Sequence, residues 1–413
     1  MVKRSFVSYQ SLTVKIVQQV KLIVLTSRFP FPLEKGDKLR AYHQIRELSH
    51  RYEITLVALS EQPVLAAHIT HLQTICQRVE VLPLPRWRLP GRLLAGLRRG
   101  YPLQVAYFFS PLIQRQIQQL ITEVQPDAVY CQLIRMAPYA EQVSGFKVLD
   151  YMDAFSVGMQ RRAAQSKRYL KWLFRWEAKR LQSYESAVFQ HFSHCSIISA
   201  QDRDLLAIAD KARIRIVPNG VDTLFFTNKT DRLPQYDLVF VGNMGYHPNV
   251  EAARWLVHEL LPVLHQNRPQ LRLLIAGARP TAAVQGLQNE WVTVAGWMDD
   301  IREAYSNAVV FVAPIFLGSG QQNKILEAMS MQLPCITTSM VNNAIGAPVN
   351  KAILIANTAQ DFAQQVHLLL ENAKLRAQIG HEARTFVEQK YSWQHSVSIL
   401  TELFDKNNAA NEF

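Results

Sequence analysis

Residues 313–331 read APIFLGSGQQNKILEAMSM. An apolar run stops at Pro314, small residues follow at Gly318, Ser319 and Gly320, and an amphipathic stretch opens near Gln321. The pattern is a strand passing through a tight turn into a helix. Small residues let a backbone approach a ligand closely, and the first helical N–H groups point at whatever lies there. The helix dipole adds partial positive charge, which favours a phosphate or a developing anion. Lys324 falls in the first helical turn, within reach of a phosphate. Glu327 lies three residues on, next to the same face, and a carboxylate there can accept two hydrogen bonds from a ribose diol. An ordinary glycine turn beside a solvated lysine and glutamate fits the same letters.

The same strand-then-helix rhythm extends in both directions. Around the quoted stretch, strands are predicted at 237–241, 271–276, 292–294, 309–312, 335–337 and 352–355, with helices at 249–266, 301–306, 321–331, 361–372 and 374–390. An earlier series has strands at 21–26, 54–59, 79–84, 128–131, 147–149, 195–198 and 214–217, with a helix over 36–52. The turn cluster PNGVD at 218–222 and a polar stretch at 228–235 divide the two. The expected organisation is an extension over 1–20, a first domain over 21–220, a linker over 221–235, a second domain over 236–390, and a terminal segment over 391–413. The helix of that last segment is expected to pack back on the first domain. Alternating strands and helices predict an α/β fold of two doubly wound parallel-sheet domains facing a cleft, with ligands at the carboxyl edges of the strands. A chain of 413 residues suits two such cores.

Hydrophobic residues make up 48% and charged residues 19%, so the chain is globular. Cys76, Cys131, Cys195 and Cys335 stand far apart and form no C-x-x-C pair. They read as buried small hydrophobes in a reducing compartment, with neither a zinc site nor a disulfide framework. No apolar run reaches the roughly 18–20 residues needed to span a bilayer, and residues 1–20 lack the apolar core of a signal peptide. That stretch reads as a loose extension or an overcalled start, and the expected location is cytoplasmic. The formal charge of +12 is uneven: residues 1–220 hold 31 Lys and Arg against 16 Asp and Glu, and the remainder is slightly acidic. The asymmetry points to an anionic partner for the first half. Segments 85–101 and 161–180 interleave Arg and Lys with Trp, Tyr and Phe, a composition that suits an anionic membrane surface and equally a solvated helix with an aromatic core face. Nucleic acid is set aside because no recognised module accompanies the charge.

Four more segments place candidate residues at strand ends. Residues 240–253, FVGNMGYHPNVEAA, carry a second glycine turn with Gly242 and Asn243, and Asn249 near the start of the following helix. Residues 291–301, WVTVAGWMDDI, bring Trp297 and Met298 to a loop able to hold a flat base, with Asp299 as a helix N-cap in the simpler reading. Residues 29–40, FPFPLEKGDKLR, start a helix at Gly36. Residues 148–156, VLDYMDAFS, set Asp150 and Asp153 just past a strand, where a carboxylate orients a sugar hydroxyl or where Asp153 or Ser156 caps a helix.

Taken in this order, the KGDKLR loop, VLDYMDAFS, VPNGVD, FVGNMGYHPNVEAA, AGWMDDI, GSGQQNKILEAM and the late YSW resemble glycosyltransferase family 4 across residues 21–404. The resemblance is to bacterial sugar transferases associated with exopolysaccharide and exosortase (PEP-CTERM) gene clusters. It implies a GT-B fold of two Rossmann-like domains, a nucleotide-diphosphate sugar donor, retention of anomeric configuration, and no metal or other cofactor. It implies that Glu327 binds the ribose hydroxyls and Lys324 neutralises the diphosphate. Gly318, Ser319 and Gly320 approach the sugar and phosphates, and Gly36 faces the diphosphate from across the cleft. Asp153 lies near the transferred sugar; with Lys324 and Glu327 it completes the expected catalytic set, and Gln321 joins the donor contacts. The acceptor would be a saccharide, lipid-linked in such systems, and the enzyme cytoplasmic and peripheral on the inner face of the membrane. The chain departs from many relatives in carrying Ser319 where a first glutamate stands, Asn243 and His247 where an arginine and a lysine follow the glycine turn, and one glycine instead of two in the first-domain loop. Alternatives are a nucleotide-sugar epimerase or hydrolase on the same fold, a nicotinamide-dependent dehydrogenase, disfavoured because no G-x-G-x-x-G follows the first strand, and a non-catalytic membrane-peripheral relative.

Overall fold

The computed structural model describes residues 20–228, 233–316 and 321–408. Among the described residues thirteen strands form two wholly parallel sheets, as runs of β-branched residues separated by helices require. The first sheet contains β1 (Val20–Thr26), β2 (Tyr52–Ser60), β3 (Arg78–Pro83), β4 (Ala128–Gln132), β5 (Phe146–Asp150), β6 (His194–Ile197) and β7 (Ile214–Ile216), in spatial order β3-β2-β1-β4-β5-β6-β7. The second contains β8 (Tyr236–Val241), β9 (Leu273–Ala276), β10 (Val292–Gly296), β11 (Ala308–Ala313), β12 (Cys335–Thr337) and β13 (Leu354–Ile355), in order β10-β9-β8-β11-β12-β13. In each sheet the order reverses once, between β1 and β4 and between β8 and β11. Outgoing connections diverge at those two points and open a crevice at the carboxyl ends of the strands. The architecture is GT-B, two Rossmann-like domains facing a cleft.

Helices cover both faces of the first sheet, giving it two apolar layers, one around Ile117, Leu149 and Leu181, the other around Ile45, Leu56 and Val148. The second domain has a single large core around Phe240, Leu273, Phe311 and Leu326. Helix Trp393–Asn408 belongs to the first domain: Val397, Leu400, Leu403 and Phe404 complete its second apolar layer. The chain therefore crosses between the domains twice, and the two crossings touch. Val221 N–H donates to Tyr391 O at 2.6 Å, and Ser396 Oγ donates to Pro218 O at 2.5 Å. Gly220 is required there, because a Cβ would fall 2.6 Å from the buried ring of Trp393. Trp393 in turn stacks on His43 with ring centroids 4.7 Å apart. All four cysteines are buried and unpaired, and no described helix is long and apolar enough to cross a membrane.

The predicted helix over 249–266 is interrupted. Helix His247–Trp255 passes into a π-helical turn, Leu256–Leu260, before Leu261–His265. Pro262 lacks an N–H and cannot continue an α-helical ladder, which accounts for the irregular turn before it.

Candidate active site

The second domain's share of the site is built at the β8/β11 reversal. After β8 the chain turns through Gly242 and Asn243. Two glycines allow this turn to nest against the end of β9: a Cβ on Gly277 would lie 1.9 Å from Gly242 O, and one on Gly242 would lie 2.7 Å from Asn249 Nδ2. Asn249, buried in the first turn of helix His247–Trp255, donates from Nδ2 to Asn243 O at 3.0 Å and accepts from Lys324 Nζ at 2.6 Å. Lys324 stands in the first turn of helix Asn323–Ser330, which follows β11, and donates also to Gln322 Oε1 at 3.2 Å. The glycine turn after β8 and the lysine after β11 are thus joined through one asparagine side chain.

Burial pushes the Lys324 ammonium down to about 8, and the nearby Glu327 carboxylate works against that shift. Burial raises the carboxyl of Glu327, opposed by the hydrogen bond from Tyr305 and by the charge on Lys324. The Tyr305 hydroxyl reaches Glu327 Oε2 at 2.7 Å. A half-buried ammonium whose charge is penalised by burial gains most from a dianion beside it.

Residues 317–320 lie outside the described residues, so Gly318, Ser319 and Gly320 receive no placement here. Gln321 binds the first domain: its amide donates to Asn219 O at 2.7 Å and accepts from Asn219 N–H at 2.9 Å. That two-point clamp fixes the start of the loop-to-helix segment against the domain crossing. Trp297 is 69% exposed, its indole donating to Asp299 at 3.1 Å, while Met298 packs on the second-domain core. The expected cap at Asp299 is absent: it is Asp300 that accepts from the Arg302 N–H at the start of helix Arg302–Ser306. Trp297 follows β10, two strands from β8, or about 10 Å across the sheet.

In the first domain the two carboxylates of VLDYMDAFS separate. Asp150 ends β5 fully buried and is not a cleft residue, which corrects the expectation that it faces a ligand. Arg40, also fully buried, holds it through Nε at 2.6 Å and Nη2 at 3.1 Å, and Tyr130 and Ser196 hydroxyls complete its shell at 3.2 and 3.0 Å. Arg40 also donates to Asn219 Oδ1 and Val217 O, both at 2.9 Å, so the ion pair anchors the domain crossing. Gly36 opens helix Gly36–Leu48, its absent Cβ 3.7 Å from the Met152 methyl.

Asp153 reaches open space. It lines a cavity of about 390 Å³ with Phe155, Arg162, Asp202 and, from the turn after β8, Tyr246. Although its surface is exposed, protein crowds it from both domains; that desolvation, with the Asp202 charge, pushes its carboxyl up to about 6. No cap is made by Asp153 or Ser156. The N-cap of helix Phe155–Gln165 is Ala154, and its first turn is held by the buried Glu185, which accepts from the Ser156 N–H at 3.0 Å and from the Ser156 hydroxyl at 2.5 Å. Backbone strain gathers on the same rim. Leu133, Met152 and Arg279 take φ of 70°, 62° and 57° just beyond β4, β5 and β9, in the left-handed region that non-glycine residues enter at a cost of about 1 kcal/mol or more.

No sequence pattern pointed to Tyr246, Asp202, Tyr305 or Arg135 as site residues. Arg135 stacks on Phe108 and Phe155, with distances to the ring centroids of 5.1 and 4.7 Å, and burial with the nearby Arg28 pushes its guanidinium down to about 10. Tyr246 and Asn249 both stood in the quoted stretch 240–253, and the others lay in no quoted motif. Among the described residues no group of three or more His, Cys, Asp or Glu is placed to hold a metal ion.

Residues 235–372 match the family described as Glycosyl transferases group 1. The fold is GT-B, and its second domain is similar to the group 1 glycosyltransferases. It is similar over 94% of its length, at 21% identity, to the whole of an uncharacterized 44.6 kDa protein in the cps region of Klebsiella pneumoniae. It is 34% identical, over 26% of its own length and 28% of the other's, to the capsular polysaccharide biosynthesis glycosyltransferase CapM of Staphylococcus aureus. Among solved structures it resembles sucrose-phosphate synthase from Thermosynechococcus elongatus, with a TM-score of 0.68 at 17% identity over 94% of this chain and 100% of that one. It resembles Anabaena HepE in complex with UDP, with a TM-score of 0.66 at 14% identity over the same shares. These last two likenesses are of fold.

Proposed function

We propose that the protein is a retaining glycosyltransferase of family 4. It moves a sugar from a nucleotide-diphosphate donor to a hydroxyl of a lipid-linked saccharide during cell-surface polysaccharide synthesis. The observation that carries this reading is the Lys324–Asn249–Asn243 chain at the β8/β11 reversal, set beside a cavity that Tyr246 shares with Asp153. The group 1 domain match supports the donor side, and the relative from a cps region and CapM support polysaccharide as the product.

In this mechanism the diphosphate lies against the glycine turn and Lys324, and Glu327 takes the ribose hydroxyls. Trp297 and Met298 border the base. Charge builds on the departing diphosphate as the glycosidic bond stretches, and pre-set amides and an ammonium stabilise it without reorganising. No metal takes part. Asp153, across the cavity, orients the transferred sugar and the acceptor hydroxyl, and the oxocarbenium-like transition state is favoured by its negative form. Closure of the domains about the 217–222 and 391–396 crossings excludes water from the donor. Work on a lipid-linked acceptor places the enzyme on the cytoplasmic face of the membrane.

Thermal-shift measurements with UDP, GDP, ADP and their sugars test the donor site, since a ligand bound only by the native state raises its stability by mass action. One nucleotide should stand out and its sugar should be transferred to a saccharide acceptor. Absence of any shift, or donor turnover undiminished without an acceptor, refutes the transferase reading; the latter favours an epimerase or hydrolase.

A further inference from the structure

We propose that the surface made by the segment 86–98 and the outer face of helix Arg168–Val188 is a docking surface for an anionic lipid bilayer. The helix has two unlike faces. Glu177, Ala178, Leu181, Glu185 and Val188 are buried. On the opposite side Tyr169, Trp172 and Trp176 recur at spacings of three and four, which aligns them on one stripe. Their exposures are 66%, 66% and 41%. Arg168, Arg175 and Lys179 are exposed along the same stripe. A water-facing helix surface should be polar, and an aromatic stripe there is exposed apolar area, with the Arg180 guanidinium over the Trp176 ring at 4.7 Å.

A second stripe repeats the pattern. Trp87 is 75% exposed and Leu94 52%, seven residues apart, with Leu97 three further on. Exposed Arg88 lies over the Trp87 ring at 4.5 Å, and exposed Arg98 follows. The two stripes belong to one body. Arg180 donates to Gly100 O and Tyr101 O at 3.1 and 2.9 Å, and Glu177 accepts from Leu103 and Gln104 N–H groups, both at 2.9 Å.

The charge selects the occupant. Segment 85–101 holds no acidic residue, and the only one in 161–180 is the buried Glu177. Convex helices bearing Trp and Tyr among Arg and Lys match a bilayer interface, where rings enter the headgroup layer and cations meet anionic lipid. The position also serves the chemistry proposed above. Gln104, bonded through its N–H to Glu177 of the helix, borders both the Asp153 cavity and a groove formed by Leu93, Leu103, Tyr107, Phe108 and Arg135, so the basic segments lie next to the Asp153 side of the cleft.

The proposal rests on the membrane part of the preceding reading and not on sugar transfer, so its test uses binding alone. The full-length protein is floated with phosphatidylcholine vesicles, with and without 30% phosphatidylglycerol, at low and high salt. Two variants are compared, Trp172→Ser/Trp176→Ser and Arg168→Gln/Arg175→Gln/Lys179→Gln. The wild type should float only with the anionic vesicles and be released by salt. The charge variant should lose about a hundredfold in partition, and the tryptophan variant at least tenfold. Both should keep the wild-type melting temperature and the wild-type thermal shift with nucleotide, which separates docking from the donor site. Equal binding to neutral vesicles, wild-type flotation of both variants, binding of duplex DNA with no flotation, or self-association through these residues in sedimentation overturns the proposal.

Discussion

Lys324→Met separates a lysine kept for a ligand from one kept for the fold. The ammonium of Lys324 titrates at about 8 against an ordinary 10.5. At neutral pH its charge therefore costs the folded state up to about 3 kcal/mol, trimmed to about 2 by its partial exposure. Methionine keeps most of the stem and removes the charge. It also leaves Asn249 Oδ1 without the 2.6 Å bond, a loss of about 1 kcal/mol. The ligand-free variant should accordingly be as stable as the wild type or about 1 kcal/mol more stable at pH 7. The sign with pH follows from the lowered value. Below 8 the folded protein carries the full cost, and between 8 and 10.5 the unfolded chain holds the proton longer, so wild-type stability rises and the variant's advantage disappears. Affinity for the nucleoside diphosphate should fall roughly 10- to 150-fold, the worth of one charge-assisted hydrogen bond. Denaturant melts at pH 7 and 10 and calorimetric titration with the nucleotide that gives the thermal shift provide both readouts. A variant that loses several kcal/mol of stability while binding that nucleotide normally would show Lys324 to be a structural residue with no part in holding the diphosphate.

Other perturbations have equally definite outcomes. Gly277→Ala places a methyl 1.9 Å from Gly242 O at a φ of 131°; it should cost at least about 2 kcal/mol in chemical denaturation and reduce nucleotide binding with it. Asp153→Asn should lower kcat strongly with little change in donor thermal shift. Wild-type turnover should fall as pH drops through about 6, where Asp153 takes up its proton, and residual turnover of the variant should lack that acid limb. Burial, with repulsion from Arg46, pushes His43 down to about 4, so stability should fall as pH drops from 6.5 toward 4, by up to about 3 kcal/mol. His43→Phe should flatten that slope in acid denaturation. Arg40→Met leaves Asp150 charged and unpaired in the core and should cost about 3–5 kcal/mol, measured by urea unfolding.

Strand positions and the two-sheet plan were legible because each strand carries its own evidence. The run VFV after Leu238 and the run FVA before Pro314 are apolar on both sides of the chain, as a strand covered by helices on two faces must be. Gly242 and the lysine after β11 were legible for the same reason, since a glycine turn and a helix start are local features of the backbone. The π-helical interruption at 256–260 was not, since in the window 249–266 apolar periodicity outweighed the one proline that breaks it.

Local residue patterns thus specify the list of elements and which of their ends bear glycine, lysine and carboxylate. Tertiary structure decided which of those groups meet. Asp150 and Asp153 are three residues apart in one motif, yet one is sealed under Arg40 and the other faces the cavity, because β5 ends between them and Met152 adopts a left-handed turn. Asn249 and Lys324 are 75 residues apart and share a hydrogen bond. That bond exists only because the sheet places β8 beside β11. Strand order is set by burial summed over the whole domain, a quantity no short window of residues contains.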